Sequence, residues 1–327
     1  MKEIIISENE AGQRLDKLLG KYLNEAPKSF FYKMLRKKNI VLNDKKASGN
    51  EKLKMGDHVK LYLADDTIQK FSSGYTEKSS LPAMAKAKKQ LDIIYEDHHI
   101  LLINKPSGML SQKAAITDVS AVEYVIQYLL DSGQMTEEEL STFRPGVCNR
   151  LDRNTSGILA AGKTLAGLQE LSRIFKDRSL HKYYRCLVKG SIKEGQHICG
   201  YLVKDEKTNR VIVSKHPIKD SLPIETSYQP VSGNDRVTLL EVHLITGRTH
   251  QIRAHLASIG HPIIGDYKYG DRKINQYYKE KYGLTSQLLH AYRLEFPQMS
   301  GVLKAVSGMC VTAPLPALFT KILEKEG

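Results

Sequence analysis

The segment Asn149-Arg150-Leu151-Asp152-Arg153-Asn154-Thr155-Ser156-Gly157 sets a carboxylate between two arginines and leads into an apolar run at 158–161. Flanking cations hold a carboxylate ionised, the state a nucleophile needs. A lone aspartate in a polar loop serves equally as a turn former or a helix cap, and both readings stand here. A second segment, Lys182-Tyr183-Tyr184-Arg185-Cys186-Leu187-Val188, alternates as a strand, with Tyr184 on the face of Cys186 and Val188. On this segment alone, an ordinary core tyrosine is the favoured reading. In a third, Thr246-Gly247-Arg248-Thr249-His250-Gln251-Ile252-Arg253-Ala254-His255-Leu256, Gly247 marks a turn after a strand. Thr249 and Arg253 lie four apart, on one face of the helix that follows. That helix presents Arg253 to an anion, or is simply a capped basic helix.

Other chemistries are not indicated. His250 and His255 lie five apart and miss the i, i+4 spacing of a helical metal pair. The four cysteines, Cys148, Cys186, Cys199 and Cys310, form no C-x-x-C pair, so no zinc site is expected. Scattered thiols suit a reducing cytosol. The sequence holds neither a Walker loop nor a G-x-G-x-x-G, so no nucleotide cofactor is expected. The N-terminus, MKEIIISENE, is not a signal peptide, and no stretch approaches a membrane span.

The elements that would position these residues fall into two groups. The 327-residue chain is 41% hydrophobic and 26% charged, an ordinary core-forming composition of one or two domains. Its net charge of +13 favours a polyanionic partner, with solubility as the other reading. Residues 1–90 hold 19 Lys/Arg against 11 Asp/Glu, a basic N-terminal module on a milder body. Within 12–63 the pattern predicts two short helices and a hairpin. The first helix carries Leu15, Leu18, Leu19 and Tyr22 on one face. The second starts near Pro27 with Ser29 as its N-cap. Arg36, Lys37 and Lys38 end that helix, where dipole compensation would explain one or two cations. It does not explain Lys45, Lys46, Lys52 and Lys54 as well, so a phosphate-contacting patch is the functional reading. Residues 65–90 read as a linker. Beyond them, helices are predicted at 119–131, 164–176 and 251–260. Strands are predicted at 180–188, 211–214, 225–228, 237–245 and 303–306. Many strands with few long helices imply an α+β domain on a mixed, largely antiparallel sheet.

Taken together, these segments resemble the RluA family of pseudouridine synthases. The match covers Arg150-Leu151-Asp152 with Thr155-Ser156-Gly157, Asn104-Lys105-Pro106-Ser107-Gly108, Lys182-x-Tyr184 and the Thr246-to-Arg253 segment. It continues in Gly260-His261-Pro262-Ile263-Ile264-Gly265-Asp266 and Leu289-His290-Ala291, in the family's order, across 91–315. One position departs, because Asn149 stands where many members have His. Residues 12–63 resemble the alpha-L RNA-binding module of a small-subunit ribosomal protein, on Met34-Leu35-Arg36-Lys37-Lys38 and Ile40-Val41-Leu42-Asn43.

The resemblance implies a module at 1–64, a linker at 65–90 and a catalytic domain of pseudouridine synthase fold at 91–327. It implies a cytoplasmic, monomeric isomerase that needs no cofactor and acts on structured RNA. Large-subunit ribosomal RNA is the preferred target, with transfer RNA the second. Asp152 would be the nucleophile, paired with Arg253, and Tyr184 would stack on the uracil. Arg150 would fill the space of a flipped uridine, as chemistry on a stacked base requires extrusion. Thr155, Arg248 and His250 would line the substrate, and Arg36, Lys37 and Lys38 would grip phosphates. Attack at C1′, attack at C6 and a glycal route each fit. A non-catalytic RNA-binding or ribosome-assembly protein is the alternative, and a nucleic-acid glycosidase a further one.

Overall fold

The structure is a computed structural model that describes residues 1–72, 91–115, 117–205, 208 and 210–327. The N-terminal strand β1 (Lys2–Ile5) is followed by α1 (Leu15–Tyr22), α2 (Lys28–Arg36), β2 (Ile40–Leu42), β3 (Lys45–Lys46) and β4 (His58–Leu61). The strands pair in the order β1-β4-β2-β3. Leu15, Leu18 and Leu19 meet Phe31, Met34, Leu35, Val59 and Leu61 in one buried cluster, as the helical spacing predicts. Each such side chain, once buried, contributes roughly 1.5–3 kcal/mol. The N-cap of α2 is Pro27, not Ser29, and no side chain caps it. Proline's fixed φ gives the extended entry, so the serine falls inside the first turn.

The expected linker opens as a helix, α3 (Asp65–Phe71), and 73–90 lies outside the described residues. Ile68 and Phe71 pack on the N-terminal cluster, with the Phe71 ring 4.7 Å from that of Phe30. The two acids at the start of α3 suit a helix N-terminus. Weak apolar periodicity hid a helix that spends only one edge on packing.

The body continues with β5 (Ile93–Glu96), β6 (Ile100–Lys105), α4 (Ala121–Asp131), α5 (Glu137–Thr142), β7 (Gly146–Val147), β8 (Ser156–Gly162), α6 (Leu165–Lys176), β9 (His181–Lys189) and β10 (Gln196–Asp205). Then come β11 (Arg210–Ser214), β12 (Leu222–Gly233), β13 (Val237–Leu244), α7 (Gln251–Ser258), α8 (Arg272–Tyr282), β14 (Leu289–Glu295), β15 (Cys310–Thr312) and α9 (Ala317–Glu326). Among the described residues they build one large sheet, ordered β11-β10-β12-β13-β9-β14-β8-β6-β5, with β7 and β15 beside it. Only the β14–β8 pair is parallel, so the sheet is mixed and largely antiparallel.

The sheet is covered on both faces. Leu101, Ile103, Leu159, Ala161, Tyr184, Cys186 and Val188 share one core with α4 and α7. Ile100, Leu102, Ile158 and Ala160 face the other way, against Leu171 and Ile174 of α6. Burial on both faces is why β6 and β8 read as unbroken apolar runs rather than alternating ones. The predicted strand at 303–306 is instead a 3₁₀ turn, Gly301–Val306. Leu303 and Val306, three apart and both buried, fit the period of that helix. The strand predicted at 225–228 is longer because Pro230 sits at a register shift, where the ladder tolerates a missing donor.

The module touches the body through α1 and α5. Thr142 Oγ1 donates to Glu10 Oε1 at 2.6 Å, and the Lys21 ammonium lies 5.7 Å from the centre of the Phe143 ring. No helix among the described residues is long and apolar enough to cross a membrane.

Candidate active site

Asp152 sits on the loop between β7 and β8, and a neighbouring segment holds that loop by its backbone. The Ser111 hydroxyl donates to Leu151 O at 2.8 Å and accepts from Leu151 N at 3.0 Å. Ser107 Oγ donates to Asn154 O, and Gly108 N to Arg153 O. Lys105 is fully buried, and its ammonium donates to Pro106 O, Met109 O and Arg153 O at 2.8–3.1 Å. Three carbonyls match the three N–H bonds of a charged ammonium. Burial nevertheless pushes its pKa down to about 7, against the opposing pull of the Asp152 charge. Asn149 closes the loop from the other side. Its amide donates to Ile158 O at 3.1 Å and accepts from Ala160 N at 2.8 Å, so the side chain lies along β8 like a strand edge.

Arg253, in the first turn of α7, reaches the same loop. Its Nη1 donates to Asp152 Oδ2 at 2.8 Å. Its Nε and Nη2 form a fork on the two oxygens of Asp266, at 2.7 and 2.9 Å. Asp266 is fully buried and also accepts from the backbone amides of Lys268 and Tyr269. Burial pushes the Asp266 carboxyl up, but the Arg253 guanidinium and these amides outweigh it and leave it below its ordinary value. Burial likewise opposes the charge on Arg253, and Asp266 and Asp152 together raise its pKa all the same. A planar guanidinium fixed on one carboxylate thus offers its remaining edge to a second.

A sequence profile of the RNA pseudouridylate synthase family matches residues 99–258. The ribosomal large subunit pseudouridine synthase C of Vibrio parahaemolyticus is 32% identical over 319 residues, 97% of this chain and 94% of that protein. The protein of that name from Vibrio vulnificus is 32% identical across 98% of this chain and 94% of its own. The chain belongs to the RNA pseudouridylate synthase family. It is an isomerase that acts on RNA. Among solved structures, human RNA Pseudouridylate Synthase Domain Containing 4 matches 71% of this chain and 92% of its own. Its TM-score is 0.57 at 22% identity, a likeness of fold.

The synthase has a cleft of about 730 Å³ over this constellation. Asp152, Tyr184, Arg253, Arg150, Thr155, Arg248 and His250, the body residues singled out from the sequence, all line it. Tyr184 is 7% exposed and shares its core face with Cys186 and Val188, as alternation predicts. Burial, with the Asp152 charge adding to it, pushes the Tyr184 hydroxyl well above its ordinary pKa, so it is an O–H at neutral pH. Arg150 and Arg248 are exposed at the rim. Thr155 is buried, and its hydroxyl accepts from Gln287 Nε2 at 3.2 Å.

One expectation changes. Thr249 does not share the helix face of Arg253, because α7 starts only at Gln251 after a left-handed His250 (φ 55°), which breaks the phase. Arg36, Lys37 and Lys38 are exposed at the end of α2, in the N-terminal module rather than the cleft. Exposed Lys45, Lys46, Lys52 and Lys54 belong to the same module.

Asp266, Lys105, Ser111 and Tyr269 escaped assignment as site residues. The first two lie inside segments that carry the family resemblance, which was the available signal.

Proposed function

We propose that the synthase isomerises uridines in large-subunit ribosomal RNA with Asp152 as the nucleophile. The observation that carries the reading is the 2.8 Å contact between Arg253 Nη1 and Asp152 Oδ2, made by a guanidinium that Asp266 immobilises. Such a contact keeps the carboxylate charged and aimed without spending side-chain entropy at the moment of reaction. The relatives named as ribosomal large subunit pseudouridine synthases support the choice of RNA. Transfer RNA is the second target.

In this reading the uridine leaves its stack and enters the cleft, while Arg150 occupies the vacated space. The N1–C1′ bond breaks, the uracil turns, and a C5–C1′ bond forms. C5 loses its hydrogen as a proton and N1 gains one, so the reaction is an isomerisation with no net loss. The Tyr184 ring lies against the base, and its hydroxyl enters the reaction protonated. Arg248 and His250 line the substrate beside it. The exposed lysines and Arg36 of the module at 1–64 grip phosphates, with the catalytic domain at 91–327 acting as a monomer in the cytosol.

The test is Asp152→Ala, assayed by tritium release from large-subunit RNA labelled at uridine C5. The wild type releases tritium, and the variant is expected to release none above background while binding RNA as before. Persisting release would remove Asp152 from the chemistry. Free uracil in place of pseudouridine would identify a hydrolase instead.

A further inference from the structure

Among the described non-glycine residues with a left-handed backbone, His250 is the one that lines the cleft. That conformation costs an L residue about 1–2 kcal/mol. Capping does not repay it, because the imidazole makes no cap bond to α7. Gln251 instead ties down the preceding turn, accepting from Thr246 Oγ1 and Arg248 N. Strain that serves no local purpose marks a side chain held in place for another reason.

The His250 ring lies between a tyrosine and the catalytic carboxylate. Its Nδ1 is 2.9 Å from the Tyr269 hydroxyl, and its Nε2 is 3.8 Å from Asp152 Oδ2. The Tyr269 hydroxyl already accepts Val211 N–H of β11 at 2.9 Å. The hydroxyl's own proton needs an acceptor, and among the described residues His250 Nδ1 is the one in reach, so Nδ1 accepts. A neutral imidazole carries one proton, so that proton sits on Nε2, the nitrogen facing Asp152. The backbone of β11 thus sets a tautomer two hydrogen bonds away.

We propose that His250 is a positioning residue for the Asp152 carboxylate, held as the Nε2–H tautomer by Tyr269 and Val211. The inference rests on Asp152 being the nucleophile. Arg253 holds Oδ2 from one side, and the imidazole Nε2–H approaches the same oxygen from another. A small movement on substrate binding closes 3.8 Å to a hydrogen bond. The opposite tautomer would turn a lone pair toward the carboxylate and repel it. A doubly protonated ring would carry a proton on Nδ1 as well, break the bond donated by Tyr269, and draw Oδ2 into an ion pair. The neutral ring is thus the working form.

The surroundings favour that form. His250 is mostly buried, and burial lowers its pKa, against the pull of Asp152. Arg253 of its own helix and Lys268 lower it further, and Asp266 opposes them. Arg210 of β11 stacks on the far partner, Tyr269.

Four purified full-length variants test this, namely His250→Ala, His250→Gln, Tyr269→Phe and Asp152→Ala. Tritium release is followed from pH 5 to 8.5, with circular dichroism recorded at each pH. The Gln amide nitrogen replaces Nε2–H and does not titrate. His250→Ala is expected to lose about ten- to a hundredfold in kcat with KM little changed, the scale of a misplaced reacting group. His250→Gln should recover most of that loss and lack the acid limb of the wild-type kcat profile. Tyr269→Phe, which frees the tautomer, should fall between them. Wild-type kcat in His250→Ala, or a wild-type acid limb in His250→Gln, overturns the inference. Asp152→Ala separates the two claims. If it is inactive while the His250 variants behave as wild type, only the role of His250 fails. If it stays active, the nucleophile reading fails with it.

Discussion

At the residue scale, the site is a chain of ionic and hydrogen-bonded contacts that ends at Asp152. The sequence named Asp152, Tyr184 and Arg253 through the resemblance of their segments to the family, since local pattern left each with an ordinary structural reading. It did not name Asp266, whose partner Arg253 lies thirteen positions away on a different element. No periodicity links the two, and only the turn after α7 brings them together. Lys105 was hidden for another reason. A lysine ending an apolar strand reads as the start of solvent, yet here three carbonyls take the place of water. The fork on Asp266 gives the sharpest prediction at this scale. Asp266→Asn keeps the volume and removes one of the two anions that compensate a buried guanidinium. Breaking a buried pair from one side costs about 3–5 kcal/mol. The variant should unfold at markedly lower urea concentration and lose kcat more than KM. An unchanged unfolding midpoint would mean that the fork contributes nothing to the fold.

At the element scale, the strand leading out of the Asp152 loop was legible and the exceptions had physical causes. Strand β8 and helices α4 and α6 appear where the apolar run or helical spacing placed them. The 3₁₀ turn at Gly301–Val306 was misread because a run of only four residues cannot separate a strand from a tight helix. Strand β10 was missed because its side chains are mostly exposed or half-exposed and give little alternation. Gly157 is where the element geometry is least forgiving. Its φ is 108°, and a Cβ placed there would sit 2.2 Å from Ala291 O on the parallel neighbour β14. The Thr-Ser-Gly sequence is thus a packing requirement of the β8–β14 pair as much as a mark of the site. Gly157→Ala combines backbone strain with a backbone clash and should lose about 3 kcal/mol or more. Denaturant unfolding of the purified variant checks this, and a loss below about 1 kcal/mol would show that the two strands can part without cost.

At the scale of the whole molecule, two buried histidines set the response to acid. Burial pushes His255 and His290 each down to about 4 from an ordinary value of 6.5. His255 Nδ1 pairs with Thr226 Oγ1 and His290 Nδ1 with Ser156 Oγ, so both are built in as neutral rings. Their folded pKa values are depressed, so the unfolded chain binds protons first as pH falls. Their contribution is full above about pH 6.5 and declines between about 6.5 and 4. The slope is at most about 1.4 kcal/mol per pH unit for each. Urea unfolding at pH 7.5, 5.5 and 4.5 should show this decline, and a flat profile from 7.5 to 5 would contradict it. The excess of positive charge, +13 over the chain, was read correctly as a sign of a polyanionic partner. Charge says nothing of which RNA, since a phosphate patch reads backbone rather than bases.

The parallel pairing of β8 with β14 has a consequence for how the enzyme comes into being. Ser156 and Gly157 lie beside His290 and Ala291, so the strand leading out of the Asp152 loop, already paired with β6, gains its second neighbour only after most of the chain has been synthesised. Tyr184, Arg253 and Asp266 likewise all follow Asp152 along the chain. A nascent polypeptide stalled before β14 would expose the entirely buried face of β8 along an unpaired edge, a template for association with other chains. It would carry Asp152 but no completed sheet beneath it. The wiring of the sheet therefore delays the complete fold around Asp152 until the last strands arrive.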